Sequence, residues 1–402
     1  MQVTLSIKSY PARNGDAYLI KTDGLARTAI LVDGGYPATF HDHIRADLVE
    51  LARQGYGLDL VVATHIDADH ISGLLAFFKV NGRARAPKII PVRRVLHNSL
   101  RSLSRAASPT QTFETADREL LDEIQRGGFP APSGEKNQEG EISARQGSSL
   151  AVLLRSGGYL WNEGEGKTTI DGESLSRRAI GEGYLTVLGP PRVRLEKLLS
   201  AWTADIRRLG FAGLLEDNTS LDDAFEFLSA ERAIGTPGHT ISGQTTPLEL
   251  KDCYDPDDSV PNGSSITFIF EIGSFRVLFL GDSWAEDTES ALRKLGDSAS
   301  PMLFDAIKIS HHGSLRNTST ALLNLVDAPI YFISTNGEGH GHPDFAVLAA
   351  IVDRPGSIRE LFFNYPTSAS GKLKTHVSKA GAKFYIREGF VDWIKLAEQP
   401  VQ

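Results

Sequence analysis

The chain has a single cysteine, Cys253, in 402 residues. One thiol excludes an internal disulfide framework and any zinc site built on cysteine. No run of 18 or more apolar residues occurs, which argues against a membrane-spanning helix. The N-terminus, MQVTLSIKSYPARNGDAYLI, lacks a basic segment followed by an apolar one. A secretory signal is therefore not expected, and the reading is cytoplasmic. A broad basic surface is missing too. The formal net charge is −8, which argues against a protein coated for nucleic acid but leaves room for a local basic groove. What is there is ordinary for a soluble globular chain: 41% hydrophobic and 23% charged residues.

The first 80 residues read as strands, helix, strand, polar motif, helix. Residues 3–9, 17–22 and 26–35 carry strand patterns, the first two joined at Asn14-Gly15. Residues 41–54 place apolar side chains at helical spacing. GLDLVVA is a buried strand that runs into THIDADHISG, residues 64–73. The middle is polar and rich in Arg, Ser, Gln and Glu. It holds expected helices at TADRELLDEIQRGG and at 192–209, and a loop at 130–141. Beyond residue 264 apolar strands return, as a hairpin around Gly273 and then as AIKIS and PIYFIS.

Four polar loops each follow an apolar strand: His65–His70, Gly281-Asp282, His311-His312, and the loop with His340 and His342. Strand ends along one sheet edge are where α/β folds gather reactive groups. Any one such residue is usually a cap or a solvated loop position. Four in succession point to a site, and imidazole with carboxylate suits Zn, Mn or Fe.

THIDADHISG resembles the strand-end His-x-His-x-Asp-His signature of the metallo-β-lactamase superfamily, with Asp67 in the second His position. NGDAYLI (14–20), LVDGG (31–35), the stretch 262–282, IKISHHGS (307–314) and STNGEGHGHPD (334–344) resemble one branch of it. That branch is the metallo-β-lactamase-like domain of the DNA-uptake protein ComEC and its free-standing soluble relatives. The branch typically carries Asp where this chain has Asp67. The resemblance covers 1–80 and 262–365 and is weak across 93–235. It implies a four-layer αββα sandwich, a single catalytic domain over 1–402, with a mostly helical insertion at 93–235.

The resemblance also implies two divalent metal ions, Mn or Zn. His65, Asp67 and bridging Asp282 would hold the first. Asp69, His70, Asp282 and His342 would hold the second. No His occupies the usual third place of the first site, where Asn262, Asp258 or the more distant His239 are the alternatives. The oxygen-rich first site makes Mn more plausible. Asp16 and Asp33 would orient ligand rings. Two metals roughly 3.5–4 Å apart lower the pKa of a shared water from 15.7 towards about 7, giving a hydroxide nucleophile. His312 or His311 would serve the leaving oxygen, Asp69 is a further candidate catalytic residue, and Ser314 and Asn336 would bind phosphate.

The expected function is thus a metal-dependent phosphodiesterase or nuclease acting on DNA or RNA. The alternatives are a hydrolase of a small substrate (a cyclic nucleotide, a phosphocholine-type ester or a lactone) and a non-catalytic scaffold. Arg93, Arg94, Arg101 and Arg105 form a basic stretch that could follow a phosphate backbone, or simply coat a solvated helix face. His340 is an alternative to His342. His41, His43, His97 and His376 read as capping or exposed, and Cys253 as inert.

Overall fold

A computed structural model describes residues 4–23, 27–104, 113–129, 148–216, 218–234, 249–296, 301–338, 341–356 and 358–396. Fourteen strands form its two large sheets. They are β1 (Thr4–Ser9), β2 (Tyr18–Asp23), β3 (Ala29–Val32), β4 (Leu60–Val62), β5 (Val95–Leu96), β6 (Arg177–Ile180) and β7 (Gly183–Gly189). Then follow β8 (Thr267–Ile272), β9 (Phe275–Phe279), β10 (Ala306–Lys308), β11 (Ile330–Ile333), β12 (Arg359–Phe363), β13 (Phe384–Glu388) and β14 (Ile394–Leu396). Sheet one runs β14-β1-β2-β3-β4-β5 and sheet two runs β13-β12-β11-β10-β9-β8-β7-β6.

The apolar runs of these strands explain the layers. Alternate residues point to opposite faces. Ile30, Val32, Leu60 and Val62 meet Phe268, Phe270, Val277 and Phe279 in a core between the sheets. Their neighbours Leu31 and Val61 point outward, into a second core with Phe40, Leu48, Leu74 and Phe77 of the helical stretch 37–53 and the helix Ala68–Asn81. Ile269, Leu278, Ile307 and Ile333 do the same on sheet two, against helices Ala285–Lys294, Thr320–Leu325 and Phe345–Val352. Strands covered on both faces need both faces apolar, so their sequences lack alternation. The result is the four-layer αββα sandwich.

The stretch 93–235 is helical at Leu100–Leu103, Thr115–Gly127, Leu150–Gly157, Arg192–Arg208 and Thr219–Ile234. It also supplies β5 to sheet one and β6 and β7 to sheet two, so it takes part in both sheets. His97 departs from the expected exposed position. It is fully buried and pairs with Glu226 at 2.8 Å. Among the described residues, no helix is long and apolar enough to cross a membrane.

The strand directions put the polar loops on one edge. β3 and β4 are parallel, and β2 is antiparallel to β3. The start of β2 and the ends of β3 and β4 therefore coincide, which gathers Asp16, Asp33 and His65. β9, β10 and β11 are mutually parallel, which aligns the loops after them. The backbone N–H of Ile266 donates to the Thr64 carbonyl at 2.8 Å, joining the two sheets at this edge.

Candidate metal centre

Three glycines let the loops approach. A Cβ at residue 15 would overlap the carbonyl oxygen of Asp69, and one at residue 73 would overlap that of Gly34. The loops Asn14–Asp16 and Asp33–Gly35 thus lie backbone to backbone against the start of the helix Ala68–Asn81, a contact that only glycine allows.

Four imidazoles converge on one carboxylate oxygen. The Nε2 atoms of His70, His312, His311 and His65 stand 3.3, 3.5, 3.8 and 3.9 Å from Asp282 Oδ2. Asp67 Oδ2 lies 3.3 Å from His65 Nε2. Three of these rings are hydrogen-bonded through Nδ1, and the fourth, His312, faces a carboxylate with it. His70 Nδ1 donates to Asp33 Oδ2 at 2.9 Å, since an ionised carboxylate can only accept. Thr64 Oγ1 spends its proton on Asp33 Oδ2 at 2.7 Å, so His65 Nδ1 donates to that hydroxyl at 3.1 Å. His311 Nδ1 lies 2.8 Å from Asn317 Oδ1, and His312 Nδ1 lies 3.4 Å from Asp16 Oδ1.

This bonding turns bare ring nitrogens toward a carboxylate. The Nε2 atoms of His65 and His70 and Asp67 Oδ1 are buried with no hydrogen-bond partner. Lone pairs aimed at one another in a buried place call for a cation between them. One ligand atom from each of Asp16, His70, Asp282 and His312 also lies within 4.8 Å of every other. The donor set, imidazole and carboxylate without sulfur, fits a divalent ion.

Without an ion, positive charge is held as protons. Burial alone would raise the Asp282 carboxyl, but His312, His70, Lys308 and His311 outweigh it and hold it well below its ordinary range. Burial opposes charge on His70, yet Asp282, Asp33 and Asp69 hold it well above its usual value. His312 likewise, against burial, is pushed up to about 9 by Asp282 and Asp16. Burial raises the Asp69 carboxyl; of its neighbours, His70 and His312 oppose the rise while Asp67 and Asp282 add to it. Asn14 Nδ2 donates to Asp69 Oδ2 at 2.8 Å.

The other expected site residues fall in different places. His342 lies beside His311, ring centres 4.8 Å apart, with its Nδ1 3.3 Å from Asp344. Burial, with His311 adding to it, lowers its pKa to about 4. Ser314 is fully buried and its hydroxyl accepts from Arg316 N at 3.2 Å, so it caps a turn where a phosphate contact was expected. Asn336 bonds within its own loop, donating to Glu338 at 2.8 Å. Asp258 is turned to Arg316, 2.9 Å away. Asn262 is buried and donates to Asp257 at 2.8 Å. Asp257 also accepts from Asn317 at 2.9 Å, so Asn262 reaches His311 only through that chain. His239 and His340 lie outside the described residues.

The basic stretch is mostly committed inward. Arg94 donates to the Asn162 carbonyl at 3.0 Å, and the buried Arg101 to that of Glu165 at 2.8 Å. Arg93 alone extends outward, near Asp59, and Arg105 lies outside the described residues.

Sequence reading missed Asn317 and Lys308. Asn317 sits in a loop with no motif around it. Lys308 left a visible signal: a lysine inside the apolar strand AIKIS. It is buried, and its ammonium donates to the Gly281 carbonyl at 2.8 Å.

Residues 10–124 match the family model described as the Metallo-beta-lactamase superfamily, and the fold is of that type. No curated protein matches the chain. Among solved structures, the chain is similar to CmlA, a diiron beta-hydroxylase from Streptomyces venezuelae. The identity is 14% and the TM-score 0.36, covering 98% of this chain and 54% of that one, so this chain spans about half its length. The metallo-beta-lactamase fold protein YhfI from Bacillus subtilis aligns at 10% identity and TM-score 0.37, covering 98% of this chain and 100% of that one. A long form RNase Z from yeast aligns at 9% identity and TM-score 0.32, covering 96% of this chain and 44% of that one.

Proposed function

We propose that the chain is a metal-dependent hydrolase working as one catalytic unit, and that its substrate is a nucleic-acid phosphodiester. The observation that carries the hydrolase reading is the convergence of four Nε2 atoms on Asp282 Oδ2, with those of His65 and His70 lacking any hydrogen-bond partner. His65, Asp67, Asp69, His70, Asp282 and His342 would hold two ions, Mn or Zn. His311 and His312 belong with these ligands rather than at the leaving group, because their Nε2 atoms face the same carboxylate oxygen. Divalent ions bound there would lower the pKa of a water and offset charge on a phosphoryl group.

The chain's own residues do the positioning. Asp33 and Asp16 hold His70 and His312 in one ring orientation, and Asn317 does so for His311. Asp69 has a raised pKa and one oxygen tied to Asn14, which suits it to take a proton. Arg13 lies over the Tyr36 ring at 5.9 Å, and Tyr36 Oη donates to Asn14 Oδ1 at 3.2 Å. A cation stacked on a tyrosine that is itself two hydrogen bonds from Asp69 supports an anionic substrate. Nucleic acid as that substrate rests on the resemblance to the DNA-uptake branch.

The test is hydrolysis of single- and double-stranded DNA, RNA and bis-p-nitrophenyl phosphate by metal-stripped protein given Mn²⁺, Zn²⁺ or Mg²⁺, with Asp282→Ala as control. Cleavage of polynucleotide by the wild type alone is the expected result. Cleavage of the small diester alone would move the assignment to a small substrate. No cleavage and no retained metal would overturn the enzyme reading.

A further inference from the structure

The buried cation at the centre is not absorbed by the ligand scheme. Lys308 ends β10, in a position that the strand pattern would fill with an apolar residue. Its ammonium pairs with Asp16 Oδ2, lies 3.4 Å from Asp282 Oδ1 and donates to the Gly281 carbonyl at 2.8 Å. It therefore grips Asp282 by the oxygen that does not face the four Nε2 atoms, and Asp16 by the oxygen that stands 3.9 Å from His70 Nδ1. Asp282 Oδ2 is left to the four imidazoles, and Asp16 Oδ1 to His312. The carboxylates whose charge acts on it are Asp16, Asp282 and Asp33, all buried. A group of buried carboxylates at such spacing repels itself unless positive charge is built in.

We propose that Lys308 is a fixed cation of the metal centre, a positioning residue that keeps Asp282 in ligand geometry and Asp16 in place behind His312 before any divalent ion arrives. The inference rests on the metal-centre reading above. It has two consequences. The metal-free protein keeps a formed site and does not need the ion to fold. The ion also enters a place where part of the carboxylate charge is already balanced, so metal adds less stability than the number of acids would suggest.

The test compares wild type, Lys308→Met, Asp16→Asn and the double variant, each metal-stripped and then given Mn²⁺, by thermal melting and by metal content. For Lys308→Met the expected result is a large fall in melting temperature without metal, most of it recovered with Mn²⁺. Its Mn²⁺-induced rise should be at least about twice that of wild type. The double variant should melt above Lys308→Met alone, because the carboxylate that lost its partner is gone. An equal fall with and without Mn²⁺, or no relief from Asp16→Asn, would mean that Lys308 only fills space and would overturn the proposal. If Lys308→Met does not fold, the double variant decides: a folded double supports the proposal, and an unfolded one overturns it. A wild type that takes up no Mn²⁺ would overturn the metal-centre reading itself, and this inference with it.

Discussion

The two halves of the centre reach the same carboxylate oxygen by different routes. In the loop after β4, His65 and His70 belong to one short motif, and both lean on Asp33 from the neighbouring strand end, His65 through Thr64. In the loop after β10, His311 and His312 are adjacent and lean on two different groups, Asn317 six residues further on and Asp16 from sheet one. The first pair is braced within its own sheet. The second is braced partly across the sandwich, because Asp16 comes from sheet one. Asp282 crosses the other way, from sheet two to the first pair. The halves are thus interlocked through two aspartates, and neither half is complete alone.

The comparison can be broken most severely at Asp282. Asp282→Ala removes the oxygen shared by both pairs, and an activity loss of at least about a thousandfold is expected, several kcal/mol of transition-state stabilisation, together with loss of bound metal. Atomic absorption and hydrolysis assays check both, and a variant that keeps full metal content would separate the halves from Asp282.

Asp16→Asn and Asp33→Asn sharpen the contrast between the braces. Each should weaken metal binding by about 10- to 100-fold. Asp16→Asn should be the more damaging, since Asp16 also pairs with Lys308. Titration calorimetry with Mn²⁺ orders them, and equal losses would remove the asymmetry. Gly15→Ala strikes the contact that carries Asp16 to its place. A Cβ there collides with the Asp69 backbone, so a loss of several kcal/mol in stability is expected in chemical denaturation.

The smallest effect is on pH. His312 in the folded, metal-free protein has its pKa raised to about 9 from 6.5. Its ion pairs therefore contribute fully below pH 6.5 and are lost as pH rises through about 9. The melting temperature of metal-stripped protein should fall across that window. Metal binding at pH 7 should release protons, seen as a buffer-dependent binding enthalpy. His312→Gln should flatten the stability trend.

The strands and the motif loops were legible because their signals are local. Period and apolar content mark β2, β3, β4, β8 and β9; His65, Asp282 and His311 stand shortly after strands, and His70 opens the helix that follows His65 in the same motif. Asp33 was read as a brace from the resemblance of its motif to the family. The helix Thr219–Ile234 passed unread, since it is buried on more than one side and shows little amphipathic contrast. The short β5, the edge strand β6 and its neighbour β7 were hidden within a stretch read as largely helical. His97 looked like a surface histidine because its partner, Glu226, lies far along the chain.

From the sequence alone came the residue types of the centre, their order along the chain, the absence of sulfur ligands and the class of fold. The residue types, their order and the lack of sulfur are read directly from the chain, and the class of fold follows from the resemblance of its motifs to the metallo-β-lactamase superfamily; all are properties of neighbours in the chain. Only the tertiary structure decided which atoms meet: that four imidazoles share Asp282 Oδ2, that Ser314 turns inward, and that Lys308 sits among the acids. Such contacts depend on strand direction and sheet packing, which bring together residues more than 200 positions apart, and no local pattern encodes the approach of one side chain to another across that distance.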